Sequence, residues 1–251
     1  QWMGADTAQY LTRYELKTDD SKTAWPQLIG FIDTLSNGGD QTAFLARKAD
    51  IPQVLPTWAA DNLLGNLDSY IGSGRNFYAY FHSKTGKLKW IVWDAGLIFG
   101  AYGTLVPNPK TLGVTWYNST LPRPFLGAVM NSASLRTDYL QTLCMHAHTR
   151  FTEALMFPHV DSVANLIRPF VAQDTRKMYT SQQFEANIVS DISATGGGSV
   201  TKPGIKSFIT QRGNSVRSQL TALGITCVSA AESSPDAAQL GLGQNYPNPV
   251  S

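Results

Sequence analysis

Three short stretches decide how this chain is organised: GNLDSY at residues 65–70, RNFY at 75–78 and WIVWDAG at 90–96. The second and third alternate apolar and polar side chains on either side of a turn, KTGK at 84–87. Alternation of this kind around a turn predicts a β-hairpin. GNLDSY leads into the hairpin from a helix that the apolar spacing predicts at about Ile51 to Leu64.

The far ends of the predicted hairpin carry polar side chains. Its strands are expected at Asn76 to His82 and at Leu88 to Trp93, so Asn76 and Asp94 should lie side by side. Asp68 precedes them in an exposed turn after the helix. An Asp to orient a hydroxyl, with an Asn and a second Asp to hold a metal on nucleotide phosphates, is the set that phosphoryl transfer uses. The spacing therefore raises the hypothesis of a phosphotransferase.

A structural explanation of the same residues stays open at this point. Asp and Asn are common in turns because their side chains bond their own backbone. Asp94, directly before Ala95 and Gly96, could be no more than a turn former. Residues 72–75 (GSGR) could touch phosphate through backbone N–H groups or form a flexible turn.

The rest of the chain predicts an α+β fold. Residues 14–18 alternate as a strand would, and residues 100–124 indicate a long irregular loop, a kind that is usually functional or mobile. Together these elements indicate a small β-hairpin sheet packed on a mostly helical half, a layout that fits the carboxyl-terminal lobe of a kinase-like fold. Besides the helix before GNLDSY, helices are predicted from a cap at 19–21 to a stop at 37–39, and at Arg136–Phe157, Val160–Val171, Gln182–Ser193 and Ile205–Leu223.

Composition excludes some classes of function. The 251 residues are 43% hydrophobic and only 15% charged, with a formal net charge of +2 and no Lys/Arg run. This argues against a dedicated nucleic-acid surface and hints at an extracellular or cell-surface setting. No apolar run is long enough to cross a bilayer, and the residues from Gln1 onward show no signal-peptide pattern and no initiator Met. We therefore expect a fragment of a longer protein.

For the cysteine, histidine and tryptophan residues, the sequence favours ordinary structural roles. Burial statistics favour two buried thiols for Cys144 and Cys227, with one disulfide as the alternative in an exported protein. His146 and His148 are two apart on a helix, which is poor metal spacing and indicates structural roles. We expect Trp58, Trp90 and Trp93 all to lie in the core.

The chain resembles the CotH kinase family, atypical protein kinases named for a bacterial spore-coat protein. The resemblance runs from about Tyr14 to Leu220. It rests on YELK at 14–17, GNLDSY at 65–70, NFY at 76–78, Trp93-Asp94 followed by Phe99-Gly100, and FITQR at 208–212 with Val216 and Gln219-Leu220.

The resemblance implies an activity and a set of site residues. It implies Asp68 as the catalytic Asp, Asp94 as a metal ligand and Asn76 as a second metal ligand, with ATP and Mg²⁺ or Mn²⁺ as cofactors. The substrate would be a protein serine. The alternative is a non-catalytic cell-surface or adhesion module that keeps the kinase-like fold. The family domain is expected at residues 1–228, beginning after the amino-terminal lobe that clamps the nucleotide.

A second resemblance lies at the end of the chain. LGQNYPNP at residues 242–249 looks like the opening of the sorting modules of proteins that the bacterial type IX system exports. Residues 229–251 are accordingly expected to be a linker and the start of such a module. This implies a secreted or cell-surface bacterial protein whose tail contacts the secretion machinery.

Overall fold

The computed structural model describes residues 1–18, 21–103, 105–195 and 199–227. Eight helices and four short strands lie in these ranges, with single 3₁₀ turns at Thr7–Gln9 and Pro109–Thr111. The helices are α1 (Ser21–Asn37), α2 (Gln41–Lys48), α3 (Ile51–Leu63), α4 (Pro124–Asn131), α5 (Ala133–Thr149), α6 (Glu153–Gln173), α7 (Ser181–Val189) and α8 (Ile205–Ala222). The strands are β1 (Phe77–Phe81), β2 (Leu88–Val92), β3 (Ile192–Thr195) and β4 (Ser199–Lys202).

The mixture of helices with two small antiparallel sheets agrees with the predicted α+β class. The strands β1 and β2 pair from Phe77 opposite Val92 to Phe81 opposite Leu88, which confirms the predicted hairpin. The helices α3 and α8 also lie where the apolar spacing predicts them. No helix in the described ranges is both long enough and apolar enough to span a membrane.

Several predicted elements were wrong. One helix was expected at 136–157, but α5 ends at Thr149 and α6 begins at Glu153, because residues 150–152 turn back and the Phe151 N–H bonds the His146 carbonyl. The predicted helices at 160–171 and 182–193 correspond to the second half of α6 and to α7, which ends before the unpredicted hairpin β3–β4. Two short helices, α2 and α4, were missed.

Residues 14–17 form no strand, although their side chains alternate. Tyr14 and Leu16 pack instead against a small cluster that contains Tyr10, Trp25 and Ile29. The alternation at residues 14–17 thus reflects burial of one side of the segment, which pairs with no other strand in the described part of the chain.

The main core is centred on Trp58 of α3, which is fully buried. Its ring lies 4.7 Å from Phe125, 5.4 Å from Trp90 and 5.5 Å from Tyr70, measured between centroids. These contacts join α3 to the hairpin and to α4. Trp93 was wrongly assigned to the core: its side chain is 57% exposed and touches Tyr78 from the outer face of the hairpin.

The long segment 100–123 has almost no regular structure, yet it is held firmly at Leu112–Val114. The guanidinium of Arg212, fully buried on α8, donates to the Leu112 carbonyl and to the backbone and side-chain oxygens of Asn62 on α3. The Asn62 amide donates to the Gly113 carbonyl at 3.0 Å. Burial lowers the pKa of Arg212 to about 10, which leaves it charged at neutral pH.

Two further side chains complete this clamp. Gln219 accepts from the Val114 N–H at 3.0 Å and donates to the Leu112 carbonyl at 3.1 Å. The Tyr139 hydroxyl donates to the Val114 carbonyl at 3.0 Å. The irregular segment is therefore fixed at its centre by side chains from α3, α5 and α8.

A disulfide joins Cys144 of α5 to Cys227, after the end of α8, across 83 residues of sequence. The preference for two free thiols was therefore wrong. Sequence burial statistics describe each cysteine separately, whereas the bond depends on how α5 and α8 pack.

We expect Arg212→Ala to lower the free energy of unfolding by about 2–3 kcal/mol, since it leaves buried carbonyl oxygens without their charged donor. Urea denaturation followed by tryptophan fluorescence measures the change. Arg176→Ala, at an exposed residue, is the matched control and should stay within about 0.5 kcal/mol of the wild type. Equal stability of the two variants would contradict the clamp.

Candidate functional site

The three predicted site residues all lie at the open end of the hairpin. Asn76 directly precedes β1, and its carbonyl accepts from the Trp93 N–H at 3.1 Å, which extends the ladder by one bond beyond β2. Asp94 is the next residue. The antiparallel pairing thus places Asn76 and Asp94 at the same end of the sheet, as predicted.

Asp68 and Asn76 are in direct contact. The Asn76 amide donates to Asp68 Oδ2 at 3.0 Å and to the Asp68 carbonyl at 2.8 Å. The other carboxylate oxygen, Asp68 Oδ1, is buried and has no hydrogen-bond partner among the described residues. One oxygen of Asp68 is therefore fixed in place, while the other is unpartnered but buried, and the residue is half-buried rather than exposed as predicted.

Asp94 is arranged differently. Its side chain is exposed, and Oδ1 accepts from the Gly96 N–H at 2.9 Å, the bond of a turn former. The structure does not give Asp94 a hydrogen bond to Asp68 or Asn76 within the described residues. The turn interpretation thus accounts for Oδ1 of Asp94. It does not account for Oδ2, which has no hydrogen bond among the described residues.

Asn76 and Asp94 share an unusual backbone conformation, with φ of 56° and 48°. Non-glycine residues rarely adopt this left-handed region, and Asn and Asp tolerate it best. The conformation turns the chain sharply where it enters β1 and where it leaves β2, which explains why these residue types stand there.

Two loops carry the site, and they share both anchors. The Asp68 loop (residues 65–75) runs from the end of α3 to β1, and the Asp94 loop (residues 94–100) runs from β2 back to α3. At the second anchor the Phe99 N–H donates to the Leu64 carbonyl at 2.7 Å. The two loops therefore start and finish beside one another.

The α3 anchor depends on glycine. Gly65 and Gly100 have φ of 60° and 72°, and a Cβ on either would come within 3.0 Å of the Phe208 ring. Only glycine combines that conformation with so close an approach.

The Asp68 loop is tied together by its own backbone. The Ser73 N–H bonds the Leu67 carbonyl at 2.8 Å, and the Gly74 N–H bonds the Ser69 carbonyl at 2.9 Å. Arg123 donates to the carbonyls of Tyr70 and Gly72, each at 3.1 Å. Residues 72–74 lie in a turn, and the N–H groups of Ser73 and Gly74 are occupied rather than free for phosphate.

The buried carboxyl group of Asp61 holds the start of the same loop. The Asn66 amide donates to Asp61 Oδ1 at 2.8 Å, and the Asn66 N–H donates to the Asp61 carbonyl at 2.8 Å. Burial raises the pKa of Asp61 to about 6, although the bond from Asn66 works against the rise. The sequence predicted no structural role for Asp61, Arg123 or Arg212. For Asp61 the available signal was the polar Asp61-Asn62 pair near the end of an apolar helix.

Chemically, the site offers only oxygen donors. The Asn76 side-chain oxygen and the free oxygen of Asp94 are the ligand type that Mg²⁺ and Mn²⁺ prefer. The unpartnered, buried Oδ1 of Asp68 is a group that a hydroxyl donor would satisfy. The donor set therefore fits a hard divalent cation.

We expect Asp61→Asn to become more stabilising as pH rises. A folded pKa of about 6 against an ordinary 3.8 means that the wild-type carboxyl stabilises the fold below pH 3.8 and loses that contribution as pH rises through 6. The stability difference between variant and wild type should therefore move in favour of the variant by about 2 kcal/mol between pH 4 and pH 7.5. Urea unfolding at several pH values measures it.

Asp138→Asn, at an exposed residue of α5, is the control and should show no such trend. A stability difference for Asp61→Asn that is flat with pH would mean that the carboxyl ionises normally in the folded chain.

Comparison with known proteins identifies a family. The family model described as CotH kinase protein matches residues 1–216, which include all three site residues. No curated protein matches the chain. The segment 242–249, which resembles a sorting module, lies outside both this match and the described residues. Since the match covers most of the 251 residues, the chain belongs to the CotH kinase family.

Proposed function

We propose that this protein is a bacterial protein kinase, secreted or held at the cell surface, that transfers the γ-phosphate of ATP to protein serine. The observation that carries the proposal is the pairing of Asp68 with Asn76, which fixes one carboxylate oxygen and leaves the other unpartnered. Family membership supports a kinase-like protein, and the roles of the individual residues are our inference.

In this proposal Asp68 is the general base. Asn76 holds Oδ2, so the carboxylate cannot rotate freely, and Oδ1 accepts the proton of the attacking serine hydroxyl. A base fixed in this way loses little entropy when the substrate binds. The backbone bonds of the Asp68 loop and the two bonds from Arg123 keep the carboxylate in position.

Asp94 and Asn76 would hold Mg²⁺ or Mn²⁺ together with ATP. When bound, the cation neutralises charge on the phosphates during transfer. Asp94 retains one oxygen for this purpose after its bond to Gly96, and its exposed position leaves room for a nucleotide.

Secretion is supported by two properties of the chain. Only 15% of the residues are charged, and the described cysteines form a disulfide, a bond that persists mainly in oxidising compartments.

A second candidate function is a cell-surface or adhesion module without turnover. The outer face of the hairpin favours it, because Tyr80, Ile91 and Trp93 are all exposed there. A contiguous apolar face of this kind suits the binding of another polypeptide.

The first test uses Asp68→Asn. Phosphate transfer from radiolabelled ATP to a serine-containing protein should fall by about 10²–10⁴-fold, because the variant cannot accept the hydroxyl proton. Binding of ATP, measured by calorimetry with Mg²⁺ or Mn²⁺, should change little. Asp138→Asn serves again as the control and should retain full activity.

The second test uses Asp94→Ala. We expect it to abolish the metal-dependent part of ATP binding, since a carboxylate ligand is lost. If neither this chain nor one extended upstream by an amino-terminal lobe binds ATP with either metal, phosphotransfer is overturned and the adhesion module becomes the better explanation.

A further inference from the structure

The Cys144–Cys227 disulfide has a third donor beside it. His148 Nδ1 lies 3.1 Å from Cys227 Sγ and 3.9 Å from Cys144 Sγ. A disulfide needs only its two cysteines, so this imidazole has no part in forming the bond. The three ligand atoms lie within 4.8 Å of one another.

The arrangement follows from helix geometry. Cys144 and His148 are four residues apart on α5, so both side chains lie on one face of the helix. The spacing of His146 and His148, which argued against a metal, concerned the wrong pair. Cys227 comes from the chain beyond α8 and completes a set of two sulfurs and one nitrogen.

We propose that the reduced chain binds a zinc ion through Cys144, His148 and Cys227. Two thiolates and an imidazole are a donor set that zinc favours, usually in tetrahedral geometry. The disulfide and the metal site are exclusive states of the same residues. A chain in a reducing compartment, before export, would hold the metal, and oxidation would replace it with the disulfide.

The disulfide is converted to the metal site by reduction followed by zinc binding. A dithiol passes two electrons and two protons to the disulfide, becomes a disulfide itself and leaves two thiols. Binding of Zn²⁺ then releases both thiol protons. Zinc–sulfur bonds of about 2.3 Å need the sulfurs to separate to about 3.8 Å, within reach of side-chain rotation from Cα atoms 5.4 Å apart.

The surroundings allow a fourth ligand. Cys227 is half-buried and lines a cleft of about 430 Å³, which leaves room for water on the metal. Arg217 lines the same cleft, and its bonds to the Ala147 carbonyl and the Asn214 side chain hold it in place. A fixed positive charge there favours the thiolate form of the reduced cysteines.

The side chain of His148 must exchange one partner. Its Nδ1 lies 2.9 Å from the Cys144 carbonyl oxygen, to which it donates in one tautomer. In the metal-bound state Nδ1 is deprotonated and its lone pair points to the ion. The carbonyl can then accept from water in the open cleft.

Cobalt titration tests the site. The chain is reduced with dithiothreitol without oxygen, desalted and titrated with Co²⁺, which reports thiolate ligands by charge-transfer absorption and tetrahedral geometry by visible bands. We expect one equivalent to bind and Zn²⁺ to displace it. The oxidised chain should show neither band.

His148→Ala is the decisive variant, because its disulfide and fold do not depend on the imidazole. It should weaken Co²⁺ binding by at least about tenfold and alter the visible bands. The matched control is His159→Ala, at an exposed residue of α6. Circular dichroism of the reduced chain checks that it remains folded.

The proposal fails if the reduced wild type shows no tetrahedral cobalt spectrum, or if His148→Ala binds as the wild type does. It does not depend on the kinase activity, since none of the three residues belongs to the candidate phosphotransfer site.

Discussion

The buried guanidinium of Arg212 is the contact on which the rest of the structure depends. A segment of more than twenty residues with almost no regular structure crosses the middle of the domain, and its carbonyl groups need partners away from water. Arg212 supplies them at Leu112 and at the same time holds Asn62 near the end of α3. The charge stays in the core because oxygen atoms surround it, which is the condition under which a buried ion is tolerated.

The same contact positions the candidate site. The Asp68 loop leaves α3 three residues after Asn62, and Asp61 fixes the start of that loop through Asn66. Phe208, one turn before Arg212 on α8, fills the space against Gly65 and Gly100. The helix α8 therefore supports the loops without supplying any group to the chemistry. Asn76 and Asp94, both in the left-handed conformation, lie where such support over-determines the backbone, which is the setting in which uncommon conformations persist.

Local patterns predicted what is local. The hairpin, the helix before GNLDSY and the placement of Asn76 and Asp94 at one end of the sheet all follow from alternation, helical spacing and antiparallel pairing within short stretches of sequence. The break between α5 and α6 was missed because the apolar spacing continues through it. The hairpin β3–β4 was missed because its strands are only four residues long.

Other features required the tertiary structure. Alternation at residues 14–17 indicated a strand, yet it reflects burial of Tyr14 and Leu16 alone. Trp93 lies three residues after Trp90, so strand alternation places the two rings on opposite faces, and the packing of the sheet decides that the Trp90 face is the buried one. The disulfide depends on residues 83 apart in sequence and on the packing of α5 beside α8. Sequence spacing predicts where Asn76 and Asp94 lie, but it does not establish a chemical role for them or for Asp68. Those roles rest on family membership and on the proposed experiments.

The disulfide also decides how the domain would respond to force. A pull on the chain beyond Cys227 passes through the covalent link into Cys144, near the middle of α5, before it can reach the end of α8. The helix α5 packs against α3, α4 and α8, so the load would be shared by the core and would not peel α8 away from its end. The Arg212 clamp would lie behind that link, shielded from tension applied at this end of the domain.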